Sequence, residues 1–189
     1  MGAEPTASLS YAEYVAQEKV SETKHEYVNG MAYAMAGGTP ERARLASELG
    51  FLLRRSLPRD AACRVFSADL RVLVEETGRS AYPDLTIVCG PLSTSARDDQ
   101  AVTNPTVVVE VLSDGTESTD RIEKWAHYRR LASLQAYVLV SQRERRVECD
   151  RRDGTRWIFE EAGPGESLQI GGIDVTLAVD ELYASALPT

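Results

Sequence analysis

Thr106-Val107-Val108-Val109-Glu110-Val111-Leu112 is one of the two most apolar runs in the chain. A nearly continuous run of valine has the composition of a strand covered on both faces, as in the interior of an α/β sheet. Glu110 is the anomaly within it, because an ionised carboxylate in an apolar run is costly unless it is paired or bound to metal. Downstream, Ser113-Asp114-Gly115-Thr116 reads as a turn, residues 119–131 as a helix, and Ala136-Tyr137-Val138-Leu139-Val140 as a further strand. Strand, helix, strand implies a crossover and at least one parallel pair. Upstream, the polar residues 90–104 read as an exposed loop. Before them, Tyr82-Pro83-Asp84-Leu85-Thr86-Ile87-Val88 is the second strongly apolar strand. Asp84 poses the same problem there as Glu110. Two strand carboxylates that are neighbours in one sheet can share a hard divalent cation through their oxygens.

Further from this centre, Ser10-Tyr11-Ala12-Glu13 has the spacing of a capping box and opens a short helix ending near Lys19. Asn29-Gly30 between short alternating runs marks a hairpin. Gly37-Gly38 breaks the chain, and Thr39-Pro40 begins a second helix with Leu45, Leu49, Leu52 and Leu53 on one stripe, ended by Pro58. Cys63-Arg64-Val65-Phe66 and the cleanly alternating 70–74 read as strands, as do 145–151 and 156–160. A short helix near 179–183 closes the pattern. One domain over residues 1–189 is expected at this length.

The chain carries 21 Lys+Arg against 29 Asp+Glu, a net charge of −8. Taken alone, that argues against a nucleic-acid partner. The charge is segmented, however: residues 41–79 sum to +2 and residues 121–156 to +5. Three cysteines, Cys63, Cys89 and Cys149, show no C-x-x-C spacing. They read as small buried hydrophobes, and a disulfide framework or four-thiolate zinc site is not expected. A reducing, cytoplasmic location follows as the expectation. No apolar run reaches the roughly 20 residues that span a bilayer, and the N-terminus lacks the pattern of a signal peptide. No glycine-rich phosphate loop is present.

Lys124 completes the candidate site. It is the one lysine beyond residue 24, and it lies four residues after Asp120 and four before Tyr128, so the three share a helix face. An ammonium there can orient a water or stabilise developing negative charge.

These residues carry a resemblance. Pro83-Asp84, Glu110-Val111-Leu112-Ser113, Asp120 and Lys124 resemble the PD-(D/E)xK nuclease superfamily, and more closely its Uma-type, restriction-endonuclease-like branch. The similarity runs from Tyr11 to Tyr183. It includes His25-Glu26-Tyr27-Val28-Asn29-Gly30, Cys63-Arg64-Val65-Phe66 with Asp69, Asn104-Pro105, and Ser133-Leu134-Gln135 before the last apolar strand.

The resemblance implies an α/β fold: a restriction-endonuclease-like core with a mixed central β-sheet flanked by helices, and an N-terminal helix-hairpin extension. It implies Asp84, Glu110 and Glu26 as metal carboxylates, with the Val111 carbonyl as a further ligand for Mg²⁺ or Mn²⁺. Leu112 stands where the family motif places its lysine, so Lys124 takes that part. Asp69, Asp120 and Tyr128 are supporting candidates, and Arg42 and Arg121 are candidate DNA contacts. Arg42 stands where relatives often have histidine, and Asp114-Gly115-Thr116 stands where they usually have Pro-Ser-Thr. The expected activity is metal-assisted hydrolysis of DNA phosphodiester bonds by a homodimer. The alternative is a catalytically inactive module of the same fold that binds nucleic acid or a protein partner. Two-carboxylate glycoside hydrolysis fits less well, since no aromatic sugar platform flanks the acids.

Overall fold

The computed structural model describes residues 8–35, 37–58 and 62–184. The opening segment, residues 1–7, lies outside them. Helix α1 (Tyr11–Glu18) starts at a complete capping box: the Ser10 hydroxyl accepts from the Glu13 N–H and the Glu13 carboxylate accepts from the Ser10 N–H. Strands β1 (His25–Val28) and β2 (Met31–Ala34) form the expected hairpin, with Asn29 at φ 51° and Gly30 at φ 81°. Both turn residues are left-handed, the conformation that matches the twist of the flanking strands. Helix α2 (Pro40–Ser56) is capped by Thr39, whose hydroxyl accepts from the Arg42 N–H.

Seven strands follow: β3 (Cys63–Ser67), β4 (Arg71–Val74), β5 (Arg79–Ala81), β6 (Leu85–Cys89), β7 (Thr94–Ser95), β8 (Asp98–Val102) and β9 (Val107–Val111). A π-helical segment, Thr119–Lys124, runs directly into α3 (Trp125–Tyr128). Strands β10 (Ala136–Val140), β11 (Val147–Asp153), β12 (Arg156–Ala162), β13 (Ser167–Ile170) and β14 (Val175–Ala178) precede α4 (Val179–Leu182).

The main sheet has the order β12-β11-β10-β9-β6-β3. It is mixed, with β9 and β10 parallel and the other neighbours antiparallel. One face of β9, formed by Val107, Val109 and Val111, packs on Leu45, Leu49, Leu52 and Leu53 of α2. The other face turns Val108 toward Tyr128, Tyr137 and Leu139, and toward Val72, Val74 and Ala81 of a second sheet. The valine run is therefore covered on both sides, as its composition requires.

That second sheet corrects several sequence expectations. Its order is β2-β1-β5-β4-β8-β7, so the N-terminal hairpin is the edge of a six-stranded sheet. Residues 90–104 are not a loop throughout: they contain β7 and β8, and Asp98, Ala101 and Val102 are buried. Their polarity disguised this, because Asp98 is buried as the ion-pair partner of Arg71. Strand β4 alternates as expected but has no solvent face. Val72 and Val74 join one cluster, while Leu73 joins Tyr11, Tyr14 and Tyr27 beneath α1.

The cysteine reading is also corrected. Cys63 and Cys89 stand opposite one another on antiparallel β3 and β6, with Cα atoms 3.9 Å apart, and form a disulfide. Only Cys149 is a free, buried thiol among the described residues. Sequence spacing could not reveal the pair, because strand register alone brings the two together. Among the described residues no helix is long and apolar enough to cross a membrane.

Candidate active site

The site lies at the ends of β9 and β6, where the two sheets and the π-helical segment meet. Glu110 shares the Val108 face of β9, turned away from α2, and is completely buried. Asp84 immediately precedes β6. Since Leu85 pairs with Val109, the next step of that register sets Asp84 across from Glu110. The backbone confirms the closeness: the Val111 N–H donates to Asp84 Oδ2 at 2.8 Å.

Lys124 is the hub. Its Nζ lies 3.0 Å from Glu110 Oε1, 3.1 Å from Glu26 Oε1 and 2.9 Å from Asp120 Oδ1. The contact with Asp120 is an ion pair rather than an aligned hydrogen bond, and both Asp120 oxygens lack a hydrogen-bond donor. Burial works against the Lys124 ammonium, but the Glu110 and Glu26 carboxylates overcome it and hold its pKa well above the usual value. Glu110 moves the other way. Burial pushes its carboxyl up to about 8, Lys124 opposes that, and the negative Asp120, Asp84 and Glu26 reinforce it. Its second oxygen, Oε2, is buried without a hydrogen-bond partner among the described residues.

The charged groups arrive on several elements. Glu26 comes from β1 and is held on its other oxygen by Arg79 of β5, with Nη2 donating to Oε2 at 2.9 Å. Asp120 and Lys124 come from the π-helical segment, a geometry found frequently at functional sites. The segment is pinned by the Tyr137 hydroxyl, which donates to the Asp120 carbonyl at 2.9 Å. Trp125 then stacks on Tyr137, with ring centroids 5.5 Å apart. Tyr128 is fully buried beneath the cluster and its hydroxyl has no partner. Burial first, and then the charge of Glu110, hold that phenol well above its usual pKa.

Arg42, in the first turn of α2, forks onto Asp84. Its Nε donates at 2.9 and 3.1 Å to the two oxygens, and Nη2 donates at 3.0 Å to Oδ2. A cleft of about 650 Å³ opens above the cluster, lined by Glu26, Arg42, Asp120 and Lys124 and by the polar rim of Thr39, Ser113, Thr116, Thr119 and Gln142. A second, more apolar cavity of about 520 Å³ adjoins it between α2 and β3, and Met35, Gly38 and Arg42 line both.

The structure thus brings together Asp84, Glu110, Val111, Glu26, Lys124, Asp120 and Tyr128, with Arg42 beside them. Asp69 is elsewhere, exposed and paired with Lys24. Arg121 is folded away from the cleft onto Glu117 and Glu148. The arginines near residues 143–152 are likewise engaged by carboxylates or backbone carbonyls. Sequence reasoning missed Arg79, whose one signal was a lone arginine before the small residues Ser80 and Ala81. It also missed that Arg42 neutralises Asp84. Among the described residues, no three His, Cys, Asp or Glu side chains converge as a ready-made metal cage.

The family model of Uma2, described as "Putative restriction endonuclease", matches residues 11–180. The chain belongs to the Uma2 family. Two cyanobacterial relatives from Synechocystis sp. are similar over nearly their whole lengths. The uncharacterized protein slr1290 is 32% identical over 182 residues, covering 95% of this chain and 93% of its own. The uncharacterized protein sll1609 is 31% identical over 166 residues, covering 87% and 93%. Among solved structures, a putative nuclease belonging to DUF820 from Anabaena variabilis superposes with a TM-score of 0.75. The match covers 93% of this chain and 98% of that one at 16% identity, and it shows that the two share a fold.

Proposed function

We propose that this Uma2 protein is a metal-dependent endonuclease that hydrolyses DNA phosphodiester bonds, with Asp84 and Glu110 as the metal carboxylates and Lys124 as the assisting ammonium. The observation that carries the reading is Glu110: fully buried, with one oxygen on Lys124, which itself lines the polar cleft, and the other without a partner among the described residues. A purely structural glutamate would not be left half-satisfied in the most apolar strand of the sheet.

The donor set fits Mg²⁺ or Mn²⁺. The donors are hard carboxylate oxygens, joined by Glu26 and the Val111 carbonyl. Mg²⁺ is usually held by one or two carboxylates, with waters and substrate phosphates completing its shell. The charges also fit: with Glu110 deprotonated, the form in which a carboxyl holds a metal, Glu26, Asp84, Glu110 and Asp120 stand against Arg42, Arg79 and Lys124, leaving one negative charge in surplus.

A bound divalent ion supplies Lewis acidity at the scissile phosphate and lowers the pKa of a coordinated water. The chain supplies the rest. Lys124, fixed by three carboxylates, presents its ammonium where a water is oriented or where charge develops on the phosphoryl oxygens. Arg79 holds Glu26, and Glu26 holds Lys124, so the ammonium is positioned before substrate arrives. The apolar floor of Val108, Tyr128 and Tyr137 keeps bulk water from the far side of the cluster. The net charge of −8 fits this reading of modest, salt-sensitive binding, since DNA meets only the local cations of the cleft.

The test is Mg²⁺- or Mn²⁺-dependent cleavage of plasmid and single-stranded DNA by the wild type beside Asp84→Ala, Glu110→Ala and Lys124→Ala. Cleavage by the wild type and its loss in all three variants is expected. A wild type that cuts nothing, or variants that cut equally well, overturns the proposal. A homodimer is the assembly we propose, and sedimentation equilibrium tests it.

A further inference from the structure

Arg42 stands where cation binding at Asp84 would have to occur. Its fork engages both Asp84 oxygens at 2.9–3.1 Å, and Oδ2 also accepts the Val111 N–H. Both side chains are largely out of solvent, at 15% and 9% exposure. Both oxygens of Asp84 are engaged while this pair persists, and a cation approaching the carboxylate would meet the guanidinium charge beside it.

We propose that Arg42 is a latch that couples divalent-cation binding at Asp84 to binding of a phosphodiester in the cleft. In the free protein its guanidinium neutralises Asp84. When substrate arrives it transfers to a phosphate oxygen, and the cation takes the carboxylate. The inference rests on the metal site of the preceding section and adds the order in which that site is filled.

Three observations favour Arg42 as the moving part. Among the described residues, Arg42 and Lys124 are the two cations lining the cleft, and Lys124 is held by three carboxylates at 2.9–3.1 Å while the Arg42 side chain is hydrogen-bonded to one, Asp84. Arg42 has room to move, since it borders both the 650 Å³ cleft and the 520 Å³ cavity. Its present rotamer lies close to the glycine before the helix: a Cβ on Gly38 would stand 3.1 Å from Arg42 Cδ, so the side chain would have to give by a few tenths of an ångström.

The charge balance supports the partner. Once a bound ion has displaced the Glu110 proton, four carboxylates and three cations sum to one negative charge, and the divalent ion alone would turn that into one surplus positive charge. A single phosphodiester restores neutrality. Arg42 is displaced by the ion and attracted by the phosphate, so each ligand strengthens binding of the other by the same factor. Arginine suits the exchange because its planar fork matches carboxylate and phosphate equally well.

The experiment is calorimetric titration of Mn²⁺ into the full chain, with and without a duplex whose phosphorothioate linkages resist cleavage, the duplex alone serving as the blank. Without DNA, Arg42→Ala is expected to bind Mn²⁺ roughly 10- to 100-fold more tightly than wild type, the effect of removing a charge-assisted bidentate competitor. The gain in Mn²⁺ affinity caused by DNA is expected to shrink at least about fivefold in that variant. Gly38→Ala, which keeps the arginine but crowds its present rotamer, shifts Mn²⁺ affinity in the same direction and carries the test if Arg42→Ala does not fold by circular dichroism. Asp84→Asn is the reference. If it weakens Mn²⁺ binding while Arg42→Ala and Gly38→Ala bind no more tightly than wild type, the latch is overturned and the metal site stands. If Asp84→Asn binds Mn²⁺ as tightly as wild type, the metal does not sit on Asp84 and both readings fall.

Discussion

Removing the Asp98 carboxylate tests the second sheet, on which the placement of Glu26 depends. Arg71 of β4 donates to Asp98 Oδ1 at 2.8 Å and to the Tyr82 hydroxyl at 2.9 Å. Asp98 also accepts from the Tyr11 hydroxyl at 3.0 Å and the Gln100 N–H at 3.1 Å. Tyr82 continues the network to Glu18, which accepts from the His25 N–H at 2.9 Å. The network therefore ties α1, β4 and β8 to the strand that carries Glu26. The Arg71 side chain is 2% exposed and that of Asp98 is 0% exposed. Asp98→Ala strands a guanidinium in that interior, at a cost of roughly 3–5 kcal/mol. Arg71→Met strands the carboxylate and costs a similar amount. Joining Arg71→Met with Asp98→Leu removes both charges and is expected to cost at least about 2 kcal/mol less than the sum of the single changes. Urea unfolding at 25 °C, read through the midpoint and the slope, gives all the values. An Asp98→Ala cost below about 1 kcal/mol, or additivity within about 0.5 kcal/mol, would refute the claim that this pair is buried and mutually dependent.

Three further outcomes follow from the structure. Native, non-reduced protein should offer no thiol to iodoacetamide at pH 8, because Cys63 and Cys89 are bonded and burial pushes the Cys149 thiol up to about 12. Unfolding without reductant should expose one thiol and unfolding with reductant three, while Cys63→Ser, which opens a loop of separation 26, should cost about 3 kcal/mol. Tyr128→Phe removes a buried hydroxyl that has no partner, so thermal unfolding should show unchanged stability or a gain of up to about 1 kcal/mol; a loss above about 2 kcal/mol would mean that the hydroxyl is bonded after all. Lys124→Met leaves Glu26, Glu110 and Asp120 without their shared cation and should destabilise the metal-free protein by roughly 3–5 kcal/mol in urea, with Mg²⁺ restoring part of the loss if the carboxylates then share the ion.

Several elements were legible because their determinants are local. The Ser10-to-Glu13 capping box, the Asn29-Gly30 turn, the Thr39-Pro40 helix start and the valine run each fix backbone conformation within a few residues. The second sheet was less legible because its stabilising pairs are distant in sequence. Asp98 looks like loop polarity until Arg71 is placed against it, and Arg79 means nothing until it meets Glu26 across the sheet.

The sequence alone determined which residues are chemically out of place. Asp84 and Glu110 sit in apolar runs, and no local partner explains them, so burial energetics single them out without any coordinates. Lys124 stood out through its spacing from Asp120 and Tyr128. Only the tertiary structure decided who holds what: Lys124 amid three carboxylates from three elements, Arg79 behind Glu26, Arg42 on Asp84 and Cys63 bonded to Cys89. The physical reason is that a charge's need for a partner is a property of its local run. The partner itself is selected by strand register and by the packing of one sheet on the other.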